Sequence, residues 1–68
     1  MPRTPETFAE RLKTLRAAAA ISQAELARRI GSAQANIANM ELGKREPTWG
    51  TLCKLADALG VSIASFRP

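Results

Sequence analysis

Two helical patterns follow one another in this chain with almost nothing between them. Ser22, Gln23, Ala24 and Glu25 have the form of a capping box, Leu26, Ala27 and Ile30 recur on one face behind it, and Gly31 ends the run. Ala33, Ile37 and Met40 then resume the same spacing, up to a stop before Gly43. Helices joined by a glycine and a residue or two cannot fold back antiparallel; they cross at roughly 90 to 120°. The crossing makes demands on single residues. Ala27 is small where the second helix passes close to the first, Gly31 accepts a positive φ, and Ile37 fills the angle between the two. In the capping box the Ser22 hydroxyl takes the N–H of Glu25, and the Glu25 carboxylate returns to the N–H of Ser22.

The remaining elements frame this pair. Thr4, Pro5 and Glu6 read as a helix start, and Phe8, Leu12, Leu15 and Ala19 then recur at helical spacing, which predicts a first helix over residues 5–19 with that face buried. Gly43 to Pro47 is a loop by composition. Thr48 caps a fourth helix with Leu52, Leu55, Ala56 and Leu59 on one stripe, and with Gly60 as its stop. Ser62 caps a last turn through Ile63 and Phe66. The expected fold is all-α: a compact bundle of five short helices in one domain over residues 1–68, with the tightly joined pair, residues 22–42, at its centre.

The third helix has an unusual surface. From Ser32 to Met40 it carries no charged side chain, and its outer face shows only alanines and amides. Solvent-facing helices usually carry Lys, Glu and Arg, and Asn costs up to about 0.7 kcal/mol relative to Ala. Something other than solubility favours this face. Composition narrows the choice: 46% of the 68 residues are hydrophobic, with one Trp, two Phe, no Tyr and no His. A chain below about 70 to 80 residues seldom draws more than ~3 to 5 kcal/mol from its core, so each buried contact matters. Without histidine, and with Cys53 as the single cysteine, neither a zinc site nor an intramolecular disulfide can form, and no nucleophile, base and orienting acid converge. No enzyme, metal or cofactor is expected, and Cys53 reads as a small filler of the fourth helix. Ten Lys and Arg against six Asp and Glu leave a net charge of +4, which favours a polyanionic partner. No apolar run approaches the ~18 residues of a membrane span, Ala17 to Ile21 being the longest, and nothing at the N-terminus reads as a signal peptide; the expected setting is cytoplasmic.

Taken in order, Leu15 and Arg16, SQAELARRIG at Ser22 to Gly31, the run from Ile37 to Pro47 with Glu41, Gly43, Lys44 and Arg45, and LCKLADALGVS at Leu52 to Ser62 form a specific combination. From about Phe8 to Phe66 the chain resembles the phage-repressor-like (Xre/Cro-type, lambda-repressor-like) helix-turn-helix DNA-binding domain. The resemblance implies a sequence-specific, double-stranded DNA-binding transcriptional regulator, a repressor that acts as a homodimer on a palindromic operator with half-sites ~34 Å apart. The same family supplies antitoxins and protein-interaction modules, so a protein as the main partner is the open alternative.

With Ala33, Ile37 and Met40 turned inward at about 100° per residue, the outer face of the third helix centres on Ala35 and Asn39, flanked by Gln34, Asn36 and Ala38. Gln and Asn can bond bidentately to adenine N6 and N7, and an alanine methyl can meet the thymine methyl. The resemblance assigns Gln34, Ala35, Ala38 and Asn39 to base contacts. It assigns Gln23, Asn36, Lys44, Arg45 and Thr48, with backbone N–H groups at the start of the fourth helix, to phosphate contacts. It also pairs Arg16 with Glu41 in a partly buried salt bridge, while Arg28 and Arg29 read as solvated. Because the recognition helix lacks Arg and Lys, the commonest guanine contact is missing, which favours an A·T-leaning half-site.

The dimer surface is expected near the fourth and fifth helices, at Val61, Ile63, Phe66 and Trp49. Trp49 reads alternatively as a partly exposed packing residue over the loop or as a wedge beside the DNA backbone. Besides the missing Arg and Lys of the recognition helix, two departures from the family stand out. Ala20 replaces the usual glycine, so either the turn differs or Ala20 bears a left-handed φ at ~1 kcal/mol. Ala33 replaces the usual Ser or Thr, which removes the third helix's cap unless Ser32 supplies one a residue early.

Overall fold

The computed structural model describes residues 7–66. Within them lie four α-helices, α1 (Phe8–Ala18), α2 (Gln23–Ile30), α3 (Gln34–Glu41) and α4 (Trp49–Leu59), followed by a 3₁₀ turn over Ile63–Phe66. The expected fifth helix is thus a 3₁₀ turn: at three residues per turn its four residues make little more than one, and Ser65 N–H to the Ser62 carbonyl at 3.0 Å opens it. No strand occurs among the described residues.

One fully buried aliphatic side chain comes from each α-helix: Leu12, Leu26, Ile37 and Leu55. Around them close Ala27, Ile30, Met40, Ala56, Leu59 and Phe66, with Phe8, Leu15, Ile21, Leu52, Val61 and Ile63 half-buried at the margin. The small Ala27 is buried on α2, which packs against both α3 and α4. α1 packs on α3 and on the 3₁₀ turn, where the Phe8 and Phe66 rings lie 5.5 Å apart at 33°. Phe66 therefore closes the core and is not available as the dimer contact expected of it.

Local chemistry sets the helix ends. Thr7, not the Thr4–Glu6 signal that lies outside the described residues, caps α1: its Oγ1 accepts the Glu10 N–H at 3.2 Å. Ser22 caps α2 through the Glu25 N–H at 3.0 Å. The return arm of that capping box is replaced, since the Glu25 carboxylate pairs with Arg28 at 2.6 Å and with Arg29 at 2.9 Å. Both arginines are thus ion-paired on the surface and not simply solvated, and they hold the Glu25 carboxyl below the usual carboxylate range. Thr48 caps α4 through the Thr51 N–H at 3.2 Å.

All four α-helices end in the same motif, in which a residue of positive φ lets two successive N–H groups reach back to the last turn. The residues are Ala20 (φ 58°), Gly31 (φ 70°), Gly43 (φ 78°) and Gly60 (φ 70°). At α1 the pair is Ala20 N–H to the Ala17 carbonyl at 3.0 Å and Ile21 N–H to the Arg16 carbonyl at 3.4 Å. The turn after α1 is thus closed like the other three, with alanine in the left-handed position, and Ala20 carries the strain. Two other alanines depart from expectation. Ala19 is the exposed C-cap of α1, and Ala33 is the exposed N-cap of α3, so neither lies on a buried stripe.

Candidate nucleic-acid interface

The outer face of α3 begins at an N-cap with no side chain to close it. Ala33 has the extended φ and ψ of a cap, −88° and 149°, but makes no side-chain bond to the first turn. Ser32 does not substitute; its Oγ accepts from Asn36 Nδ2 at 2.8 Å. Beyond this start Gln34 and Ala35 are exposed, Asn36, Ala38 and Asn39 are half-buried, and no charge interrupts them. The four residues assigned to base contacts thus lie on one continuous helix, with Gln34 and Ala35 the most open to a partner.

What anchors this helix is an ion pair at its far end. The Glu41 side chain is only 3% exposed, and Arg16 of α1 reaches both carboxylate oxygens, Nε to Oε2 and Nη2 to Oε1, the latter at 3.1 Å. Arg16 also donates from Nη1 to the Ile21 carbonyl at 2.9 Å, so one guanidinium joins the α1–α2 turn to α3. Burial alone would push the Glu41 carboxyl up. The hydrogen bonds from Arg16 and Gln23, with the positive charges of Arg16 and Lys13, outweigh it, and the carboxyl lies below its ordinary value. Arg16 is correspondingly raised by its hydrogen bond to Glu41, against the opposing effect of burial.

Gln23 extends the network toward the exposed face. Its Nε2 donates to Glu41 Oε1 at 3.1 Å, and its Oε1 accepts from Gln34 Nε2 at 3.5 Å. A buried charge, the first residue of α2 and the first residue of α3 are thereby in line, which orients the Gln34 amide before any partner arrives. Sequence spacing links Gln23 with nothing 18 residues away, so this bridge was out of reach of a local reading.

The loop after α3 carries the basic residues. Gly43 N–H bonds the Met40 carbonyl at 3.2 Å and Lys44 N–H bonds the Asn39 carbonyl at 2.9 Å, which fastens the loop backbone to the end of α3. Lys44 and Arg45 are exposed, and Arg45 Nη1 donates to Asn36 Oδ1 at 3.0 Å. Thr48 is exposed, its hydroxyl closing α4 onto Thr51, and the first N–H groups of α4 follow it. Trp49 opens α4 with 70% of its surface exposed, which leaves most of the indole open to a partner. The bond between Asn36 and Ser32 was missed in the sequence, although their i, i+4 spacing is a legible pairing signal.

Comparison with known proteins bears on this geometry. A family model described as a helix-turn-helix domain matches residues 7–67. The SPbeta prophage-derived uncharacterized HTH-type transcriptional regulator YonR of Bacillus subtilis (strain 168) is 42% identical over 55 residues, covering 81% of this chain and 51% of that protein. The chain spans about half the length of this curated relative. The restriction-modification controller protein C.AhdI from Aeromonas hydrophila superposes with a TM-score of 0.84 at 32% identity, over 87% of this chain and 86% of that one. The P22 c2 repressor, solved in complex with synthetic operator 9T, superposes with a TM-score of 0.84 at 27% identity, over 91% and 94% of the two chains.

Proposed function

Starting from a chain that belongs to the helix-turn-helix domain family, we propose that it is a sequence-specific transcriptional repressor that binds double-stranded DNA as a homodimer on a palindromic operator. The observation that carries this reading is the charge-free outer face of α3, with Gln34 and Ala35 exposed and Gln34 aligned through Gln23 to a buried ion pair. A helix inserted in the major groove needs a slim face whose groups read base edges. Gln34, Ala35, Ala38 and Asn39 read bases, with A·T pairs preferred. Gln23, Lys44, Arg45 and Thr48, with the first N–H groups of α4, anchor phosphates and set the register. The net charge of +4 supplies long-range attraction.

One helix end covers too few base pairs for useful specificity, and a two-fold pair of domains ~34 Å apart covers enough. With Phe66 in the core, the dimer contact falls to the half-buried Val61 and Ile63 and to the exposed Trp49. The domain works in the cytoplasm by binding and not by catalysis; no helix among the described residues is long and apolar enough to cross a membrane.

The test is selection from a random duplex pool at physiological salt, with the wild type and a Gln34→Ala, Asn39→Ala double variant. The expected result is an A·T-leaning inverted repeat that the double variant no longer enriches. Enrichment of a single unrepeated half-site removes the homodimer. No enrichment by the wild type removes the DNA reading and leaves the protein-partner alternative.

A further inference from the structure

Arg45 is held differently from the other paired arginines. Arg16, Arg28 and Arg29 each donate to a carboxylate, which cancels much of the charge on the spot. Arg45 donates from Nη1 to Asn36 Oδ1 at 3.0 Å, and a neutral amide oxygen directs a guanidinium without neutralising it. Asn36 is itself fixed by its other amide atom, with Nδ2 donating to Ser32 Oγ at 2.8 Å. Both polar atoms of the Asn36 side chain are therefore engaged inside the protein. The result is a chain, Ser32 to Asn36 to Arg45, that ties the exposed loop to the first turns of α3.

A guanidinium presents five N–H groups in a rigid fork, so a bond from one Nη sets the direction of the remaining donors. A long side chain held in this way loses less freedom when it meets a phosphate. Resting on the DNA-binding reading, we propose that Asn36 does not touch nucleic acid: it is a positioning residue that preorients Arg45 as a charged phosphate clamp beside the recognition helix. Ser32 completes the tether. Asn36 thereby leaves the set of phosphate contacts and acts through Arg45.

The experiment measures binding of the full chain to the duplex enriched in the selection, across a salt series, for Asn36→Ala, Arg45→Ala, the double variant and Asn36→Asp. Arg45→Ala is expected to weaken binding and to lower the slope of log K against log salt by about 0.9, one phosphate's worth. Asn36→Ala is expected to weaken binding about two- to tenfold, the cost of ordering one long side chain, with the slope unchanged. In the Arg45→Ala background it is expected to do nothing further. Asn36→Asp keeps the tether but neutralises the fork, so its slope is expected to fall like that of Arg45→Ala. Additive losses in the double variant, or a lowered slope in Asn36→Ala alone, would make Asn36 a contact in its own right and overturn the proposal.

Two further readouts guard against a folding artefact. In the free protein, ¹⁵N relaxation of the Arg45 Nε–H is expected to report an ordered side chain that Asn36→Ala frees; equal mobility in both overturns the tether. Ser32→Ala removes only the far end of the chain and is expected to weaken binding in the same direction by less. A wild type that binds no duplex at all defeats the clamp together with the binding reading, while the relaxation measurement still decides the tether.

Discussion

α2 starts at a serine hydroxyl that accepts the Glu25 N–H at 3.0 Å, ends at a left-handed glycine, and carries Glu25 between Arg28 and Arg29 on its outer side. α3 has the same eight residues of length, but it starts at Ala33 with no side-chain cap and shows no charge before its last residue. Neither helix is long enough to persist alone in water, where fewer than ~12 to 15 residues are marginal. α2 nevertheless has its own ends and surface in order. α3 is held by distant partners: Arg16 on Glu41, Gln23 on Gln34, and the loop through Asn36 and Arg45. A helix stabilised from outside is relieved of stabilising itself, so its exposed side chains are open to selection for what they touch.

This contrast is most sharply broken at the ion pair. Arg16→Ala leaves the Glu41 carboxylate buried without its main partner, an expected loss of about 3 to 5 kcal/mol. That equals much of the whole stability of 68 residues at ~0.05 to 0.15 kcal/mol each. Thermal denaturation followed by circular dichroism is expected to show a chain unfolded or nearly so at room temperature. A melting temperature equal to that of the wild type would mean α3 does not depend on this seat.

Acid acts on the same group with a definite sign. The folded state holds the Glu41 carboxyl below its ordinary value of 4.5, so the stability it contributes is complete above that pH and is lost as pH falls through the lowered folded value. Melting temperature plotted against pH is expected to drop on the acid side. Glu41→Gln, which cannot titrate, is expected to have a lower plateau and a shallower acid limb, and an acid limb identical to wild type would assign the titration elsewhere.

Smaller changes sharpen the comparison by exchanging the two helix starts. Ser22→Ala is expected to cost about 1 kcal/mol, and Ala33→Ser, placed on a backbone already in cap geometry, to gain a similar amount. Urea titration of the single variants and of their combination would read both effects. No gain from Ala33→Ser would show that the start of α3 is already satisfied by other means. Least in size is Ala20→Gly, which relieves a left-handed alanine at φ 58° but adds unfolded-chain freedom, for an expected net gain of about 0.5 kcal/mol. A loss of stability would deny the strain.

Much of the frame was legible because its signals act over four or five residues. Ser22, Gly31, Thr48 and Gly60 mark ends where the sequence places them, and Leu12, Leu26, Ile37 and Leu55 fall on the faces their spacing indicates. Alanine was the weak point. Its methyl group is tolerated on either side of the surface, so periodicity drew Ala19 and Ala33 into stripes that they leave. The start of α1 was missed for a related reason: Thr4 with Glu6 and Thr7 with Glu10 present nearly the same signal, and the bond to the Glu10 N–H singles out Thr7.

What the sequence determined by itself was the set of helices, their joints and an outer face of α3 without charge, since hydrogen bonds between near neighbours and the 3.6-residue period act before any tertiary contact forms. Only the tertiary structure decided which amides face outward freely and which are engaged. Gln23 meets Glu41 and Asn36 meets Arg45 through space, at separations of 18 and 9 residues, and the crossing of α2 with α3 and the course of the following loop set those meetings. An amide side chain looks the same in a sequence whether its partner is a base, a phosphate or another side chain, because its bonding capacity is identical in each case and geometry alone selects among them.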